Sequence, residues 1–130
     1  MISTNQAKYP HLVGRLLISS SLPLEQVAQK ISNKLNLSLE KDIYGTYDEV
    51  PAYFTTMLGL RIAVMELKNS QNYRYIFNVY PVGGAHMPED MSQIAWVDLG
   101  PWLEGLFQEE LDFKVQTIRR PLPPTGDNTD

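Results

Sequence analysis

Histidine is the side chain best suited to acid–base or metal chemistry near neutral pH, and this chain has two. His11 opens an apolar run that predicts a strand, so we expect it to be structural. His86 lies in a segment rich in glycine and proline, close to Glu89 and Asp90, and these three side chains could offer nitrogen and oxygen ligands to a metal. One histidine beside two adjacent acids is poor ligand geometry. The sequence therefore favours no metal and no other cofactor.

Covalent catalysis would need an activated nucleophile. The chain has no cysteine, and its serine run at residues 19–21 precedes a predicted helix, where serine is expected as a cap. There is no Gly-x-Ser-x-Gly elbow, and the glycine pair at 83–84 lacks the surrounding pattern of a phosphate-binding loop. The acidic residues between 104 and 112 do not single out the carboxylate pair that a glycosidase needs. The sequence favours a protein that is not an enzyme.

Aromatic and acidic side chains make a better case for binding. The chain has seven tyrosines, two tryptophans and a net charge of −4. Tyrosine and tryptophan are favoured at protein interfaces because they bury a large area at low entropic cost, although their preference for β-sheets also accounts for them. The candidate partner-binding residues are Tyr44, Tyr47, Asp48, Glu49, Glu89 and Asp90.

Length and composition limit the number of domains, the kinds of partner and the cellular location that we expect for this protein. A length of 130 residues, with 43% hydrophobic and 20% charged, fits one domain, which we expect over residues 1–120, followed by a flexible tail over 121–130. The one basic pair, Arg119-Arg120, is too small a footprint for nucleic acid. No apolar run approaches the roughly 20 residues of a membrane span. The lack of cysteine and of a secretory signal pattern predicts a cytoplasmic protein.

Hydrophobic periodicity predicts the elements that would position these side chains. Residues 11–20 form a strand that is apolar on both faces and therefore central in a sheet or covered on both sides. A helix capped by Ser21 follows over residues 21–35. A short strand is possible within residues 36–47, and strands over 60–67, 73–82 and 94–98 predict an antiparallel meander. Asp98 then caps a second clear helix, and the last strand covers residues 113–119 at a sheet edge.

The stretch from residue 48 to residue 67 has two interpretations. Asp48 as a cap, helical spacing of apolar residues up to Leu58, and Gly59 as a terminator predict a helix that runs into a strand. The β-branched Thr55-Thr56 pair favours one long strand over residues 53–67 instead. The helix is favoured, which gives the order β-α-α-β-β-β-α-β. The predicted fold is α+β: two layers, with a mainly antiparallel sheet of about five strands and helices packed on one face.

The segment Tyr47-Asp48-Glu49-Val50-Pro51-Ala52-Tyr53, followed by Leu58-Gly59-Leu60, resembles small bacterial immunity proteins that are encoded beside polymorphic or contact-dependent toxins. Trp96-Val97-Asp98-Leu99 before a helix and a final strand is similar in style. The resemblance implies an inhibitor that masks the active surface of a cognate toxin, and it assigns no residue roles. Acidic and tyrosine side chains would then meet a basic cleft.

Three alternatives to the immunity hypothesis remain at this point. An uncharacterised family of similar style would show the same pattern. The chain could be a homodimeric structural or regulatory domain that associates through a sheet edge or exposed tyrosines. It could also bind a small molecule between its helices and its sheet, or be an unrecognised enzyme.

Overall fold

The computed structural model describes residues 9–45, 50–68, 72–82 and 94–118. Within these residues the fold is α+β, with a seven-stranded, mostly antiparallel sheet and two helices, which confirms the predicted class. The elements in chain order are β1 (Tyr9–Ser19), α1 (Leu24–Leu35), β2 (Glu40–Lys41), β3 (Ala52–Met57), β4 (Leu60–Glu66), β5 (Tyr75–Pro81), β6 (Ile94–Asp98), α2 (Gly100–Glu110) and β7 (Lys114–Thr117). The predicted tail over 121–130 lies outside the described residues.

β1 is central in the sheet, as its two apolar faces predict. The strand order is β2-β3-β4-β5-β1-β6, and β7 also pairs with β1. β5 lies antiparallel along one edge of β1. β6 and β7 share the other edge, where β6 runs parallel to residues 9–13 and β7 runs antiparallel to residues 16–19. The predicted meander is therefore wrong in its third strand, because residues 94–98 pair with β1 and not with β5.

The prediction of a helix before Gly59 is wrong. Residues 52–66 form an antiparallel hairpin, with Ala52 opposite Met65 at one end and Met57 opposite Leu60 at the other. Leu58 and Gly59 make a two-residue turn, and both have positive φ, of 53° and 75°. Positive φ at both central residues is the signature of a type I′ turn. The one-strand alternative also fails, because this turn divides the segment. Pairing of β3 with β2 and β4 overrode the helical spacing of its apolar residues.

α1 follows the prediction except at its start. Its buried residues are Leu24, Val27, Ala28 and Ile31, which have the helical spacing that the sequence predicts, and Leu35 at its end is half-buried. The helix begins after Pro23 with no side-chain cap, so the cap predicted at Ser21 is wrong.

The core lies between the two helices and one face of the sheet. Leu16 and Ile18 of β1, Phe77 of β5 and Phe107 of α2 are fully buried in one cluster with the stripe of α1. The rings of Phe77 and Phe107 meet edge to face at 5.1 Å. Because both helices share this cluster, they pack on the same face of the sheet, as predicted. Neither lies on the opposite face.

Two polar contacts tie the helices to the rest of the fold. The buried Tyr75 hydroxyl donates to the Leu22 carbonyl at 2.6 Å, and burial raises the pKa of Tyr75. Lys34 of α1 and Glu110 of α2 form an exposed ion pair at 2.8 Å. The hydrogen bond from Lys34 lowers the pKa of the Glu110 carboxyl. The first contact fixes the entry to α1, and the second joins the ends of the two helices.

Candidate interaction surface

Of the predicted partner-binding residues, Tyr44 lies within the described part of the chain. Its side chain is 89% exposed and that of its neighbour Ile43 is 70% exposed. The pair follows β2 at the edge of the sheet, where the Asp42 N–H donates to the Ala52 carbonyl at 2.9 Å. Adjacent exposed apolar side chains of this size are a feature of contact surfaces. The other predicted residues lie outside the described ones: Tyr47, Asp48, Glu49, Glu89 and Asp90.

The larger candidate is the sheet face opposite α1 and α2, which neither described helix covers and which we call the uncovered face. Side chains alternate between the two faces along each strand, so the strand register defines its members. One cross-strand row contains Phe54, Ala63, Asn78 and Arg15. The flanking rows contain Thr56, Arg61 and Tyr80 on one side, and Met65, Ile76, Leu17 and Gln116 on the other.

Two arginines on the uncovered face are held by neighbouring side chains. Arg15 Nε donates to Asn78 Oδ1 at 3.1 Å. Arg61 Nε donates to Thr56 Oγ1 at 2.7 Å, and its guanidinium lies 4.7 Å from the centroid of the Phe54 ring. A guanidinium stacked on an aromatic ring and anchored by a hydrogen bond has little conformational freedom left to lose. Both arginines are half-exposed, so a partner could reach them.

Aromatic side chains extend this array across the sheet. Tyr80 is half-exposed and lies opposite Arg61. At the far edge, the rings of His11 and Trp96 meet edge to face at 5.1 Å. The Tyr73 hydroxyl donates to Gln116 Oε1 at 2.9 Å. Arginine, tyrosine, tryptophan and methionine are the residues that protein interfaces favour. The uncovered face thus has the composition of a contact surface.

The charge of this face differs from that of the whole chain. Among the described residues the register places Arg15 and Arg61 on it, with Glu40 as its acidic member. Asp98 and Lys114 lie at strand ends, where they line clefts beside α2 and α1. The face is therefore not acidic, although the net charge of the chain is −4. The acidic residues predicted to meet a basic partner, at 48–49 and 89–90, lie outside the described residues.

A second polar arrangement lies where α2 begins. Asp98 Oδ1 accepts the N–H of Gly100, the first residue of α2, at 2.9 Å. The N-cap of this helix is Leu99, which makes no side-chain cap hydrogen bond, so the prediction of Asp98 as the cap is wrong. Glu104 Oε1 accepts hydrogen bonds from both the backbone N–H, at 3.1 Å, and the hydroxyl of Thr117. An open cleft of about 280 Å³ lies between these side chains. Because the fold's own donors engage both carboxylates, this arrangement joins α2 to β6 and β7.

A larger cleft, of about 430 Å³, lies between the end of β1 and the end of α2. The serine run at residues 19–21, Lys30 and Lys114 give it a polar lining, whereas small-molecule sites are mostly apolar. Ser20 Oγ accepts a hydrogen bond from the Leu22 N–H at 3.1 Å.

In the part of the chain that the structure describes, no group of three or more histidine or acidic side chains could hold a metal ion. Neither described helix has the length and apolarity needed to cross a membrane.

The sequence prediction missed the uncovered face for an identifiable reason. Strand alternation places Arg61 on the face opposite Ile62 and Val64, and Asn78 opposite Phe77 and Val79. That polar–apolar alternation was visible in each strand alone. The sequence did not show the register of neighbouring strands, which sets Arg61 beside Phe54.

Comparison of the sequence with protein-family models and with curated proteins finds no match.

Proposed function

We propose that this protein is a non-catalytic protein-binding module and that the uncovered face is its contact surface. The observation that supports this most directly is the fixed arrangement of Arg61 between Thr56 and Phe54, with Tyr80 as its cross-strand neighbour. Side chains that are already ordered before binding lose little entropy on association, so their contacts contribute more fully to affinity. Tyrosine and arginine are also the residues that most often dominate binding energy.

The specific form of this proposal is a cytoplasmic immunity protein that neutralises a cognate bacterial toxin by covering its active surface. The resemblance of residues 47–53 and 58–60 to immunity proteins supports it, as does the exposure of Tyr44. The acidic residues at 48–49 and 89–90 would contact a basic cleft on the toxin. Arg15 and Arg61 would meet carboxylates or backbone carbonyls beside that cleft.

Affinity capture from the source cells with matched baits tests the contact surface. Arg61→Glu reverses a charge on the uncovered face, whereas Lys30→Glu makes the same change of charge on exposed α1, on the other side of the sheet. We expect a stoichiometric protein partner with wild type and with Lys30→Glu, and its loss with Arg61→Glu. Thermal melting of each bait controls for misfolding. A partner captured equally by both variants would exclude the uncovered face, and the absence of any partner would contradict protein binding.

The immunity form has its own test. The gene directly upstream is expressed with and without this protein, and cell growth is followed. We expect growth arrest that is relieved by the wild type and less well by Arg61→Glu. A product that is harmless, or whose toxicity this protein does not relieve, would reject the immunity form.

A further inference from the structure

β6 lies at an edge of the described sheet, and its pairing with β1 identifies the backbone groups that point outward. Among the described strands it pairs with β1 alone, in parallel, from Tyr9 opposite Ile94 to Val13 opposite Asp98. The Leu99 N–H donates to the Val13 carbonyl at 2.7 Å. Since the bonding direction alternates along a strand, the N–H and C=O groups of residues 94, 96 and 98 point away from β1. The main packing of α2 is on β1 and β7.

We propose that a second copy of this chain pairs with β6 in antiparallel register, about a two-fold axis at Trp96. The positions of the outward groups carry this inference. Residues 94 and 98 lie symmetrically about residue 96, so residue 94 of one copy pairs with residue 98 of the other, and the two residues 96 pair with each other. Every outward N–H and C=O then has a partner. An axis at any other residue of the strand leaves outward groups unpaired at one end.

The side chains at this edge suit a contact between identical copies, which must present the same patch twice. Antiparallel pairing makes the two Trp96 side chains direct neighbours on the uncovered face. Trp96 Nε1 and His11 Nδ1 are both buried without a hydrogen-bond partner in the part of the chain that the structure describes. On the helix side, Val97 is 41% exposed.

The charge of the edge is compatible with the same register. Asp98 is the one charged residue of β6, and it falls opposite residue 94 of the other copy. The two Asp98 residues are then separated by four residue steps, about 13 Å. This distance exceeds the Debye length of about 8 Å at physiological ionic strength, so their repulsion is largely screened.

Such a dimer would have one continuous sheet. In antiparallel pairing, opposite side chains point to the same side, so the uncovered faces of both copies form a single surface with the two Trp96 rings at its centre. This inference goes beyond the proposed function, because self-association through β6 does not depend on any other partner.

Sedimentation equilibrium of the full chain over a range of concentrations tests the dimer. We expect a reversible dimer for the wild type. Trp96→Lys places two ammonium groups directly opposite each other and should raise the dimer Kd by at least about tenfold. Leu58 is 90% exposed at the β3–β4 turn, so Leu58→Lys should leave the Kd unchanged. A wild type that stays monomeric, as expected if β6 instead receives a strand from another protein, overturns the proposal.

A cross-linking experiment tests the register independently and does not depend on a destabilising charge. The chain has no cysteine, so a single introduced one reports on a single position. At the axis the two residues 96 would have their Cα atoms about 5.5 Å apart, which a disulfide can span. Trp96→Cys should therefore form a covalent dimer on mild oxidation much faster than Leu58→Cys. Equal cross-linking rates in two variants that both melt cooperatively would refute the two-fold axis at residue 96.

Discussion

The start of α2 offers a sharp test of the packing, because Gly100 lies there with no room for a side chain. A Cβ added at this buried position would lie 2.5 Å from Thr117 Cγ2 and 3.0 Å from Asp98 Oδ1, where ordinary contacts are 3.4–4 Å. Thr117 is not free to rotate away, because its hydroxyl donates to Glu104 Oε1 and lies 3.3 Å from the Gly100 carbonyl oxygen. Gly100→Ala must therefore displace α2 from β7 or break these hydrogen bonds.

Overpacking of this kind costs about 1–3 kcal/mol of unfolding free energy. For a chain of this length, each kcal/mol should lower Tm by roughly 3–5 °C. Gly105 is the matched control, because it lies in the same helix and a Cβ there meets nothing within 4 Å. Gly105→Ala should stabilise by about 0.5–1 kcal/mol, since alanine is the better helix former. The two identical substitutions are thus expected to have opposite signs.

Denaturant unfolding of the two variants, followed by circular dichroism, measures both effects. Thr117→Ser removes Cγ2 but keeps the hydroxyl, so in the Gly100→Ala background it should recover part of the lost stability. The expected coupling in this double-mutant cycle is on the order of 1 kcal/mol. The close contact between α2 and β7 would be refuted if Gly100→Ala stabilised the protein as much as Gly105→Ala does. It would also be refuted if the effects of Gly100→Ala and Thr117→Ser on the unfolding free energy were additive.

Three further predictions concern the turn, the core hydroxyl and the ion pair. Leu58→Asn should raise the unfolding free energy by about 0.5–1 kcal/mol in denaturant titration, because asparagine tolerates the φ of 53° at this exposed turn position; a lower value would contradict the type I′ turn. Tyr75→Phe should lower the unfolding free energy by about 0.5–1.5 kcal/mol at neutral pH, since the hydrogen bond to Leu22 is lost. Because burial raises the pKa of Tyr75, the wild type should also lose stability as pH rises past the ordinary tyrosine pKa, where the unfolded chain ionises first, and Tyr75→Phe should lose less there. Lys34→Gln should raise the pKa of Glu110 in an NMR titration, because Lys34 holds this pKa low. In the wild type the stabilisation from the ion pair is present above the ordinary glutamate range and disappears as pH falls through the lowered pKa. An unchanged pKa of Glu110 in the variant would exclude the ion pair in solution.

The sequence by itself determined the elements whose signals are local. The apolar stripe of α1 depends on residues close together in the chain, so periodicity found it. The central position of β1 followed from its two apolar faces. These signals were enough for the α+β class and for helices packed on one face.

Tertiary structure decided what depends on pairing between distant strands. Residues 52–58 have helical spacing and β-branched residues together, and hydrogen bonds from β2 and β4 settled the choice in favour of a strand. The parallel pairing of β6 with β1 sets Tyr9 opposite Ile94, 85 residues further along the chain, which no local pattern encodes. The stacking of Arg61 on Phe54 and the outward groups of β6 follow from register alone. The sequence therefore could not locate either surface proposed for binding, because register is a property of neighbouring strands and not of either strand by itself.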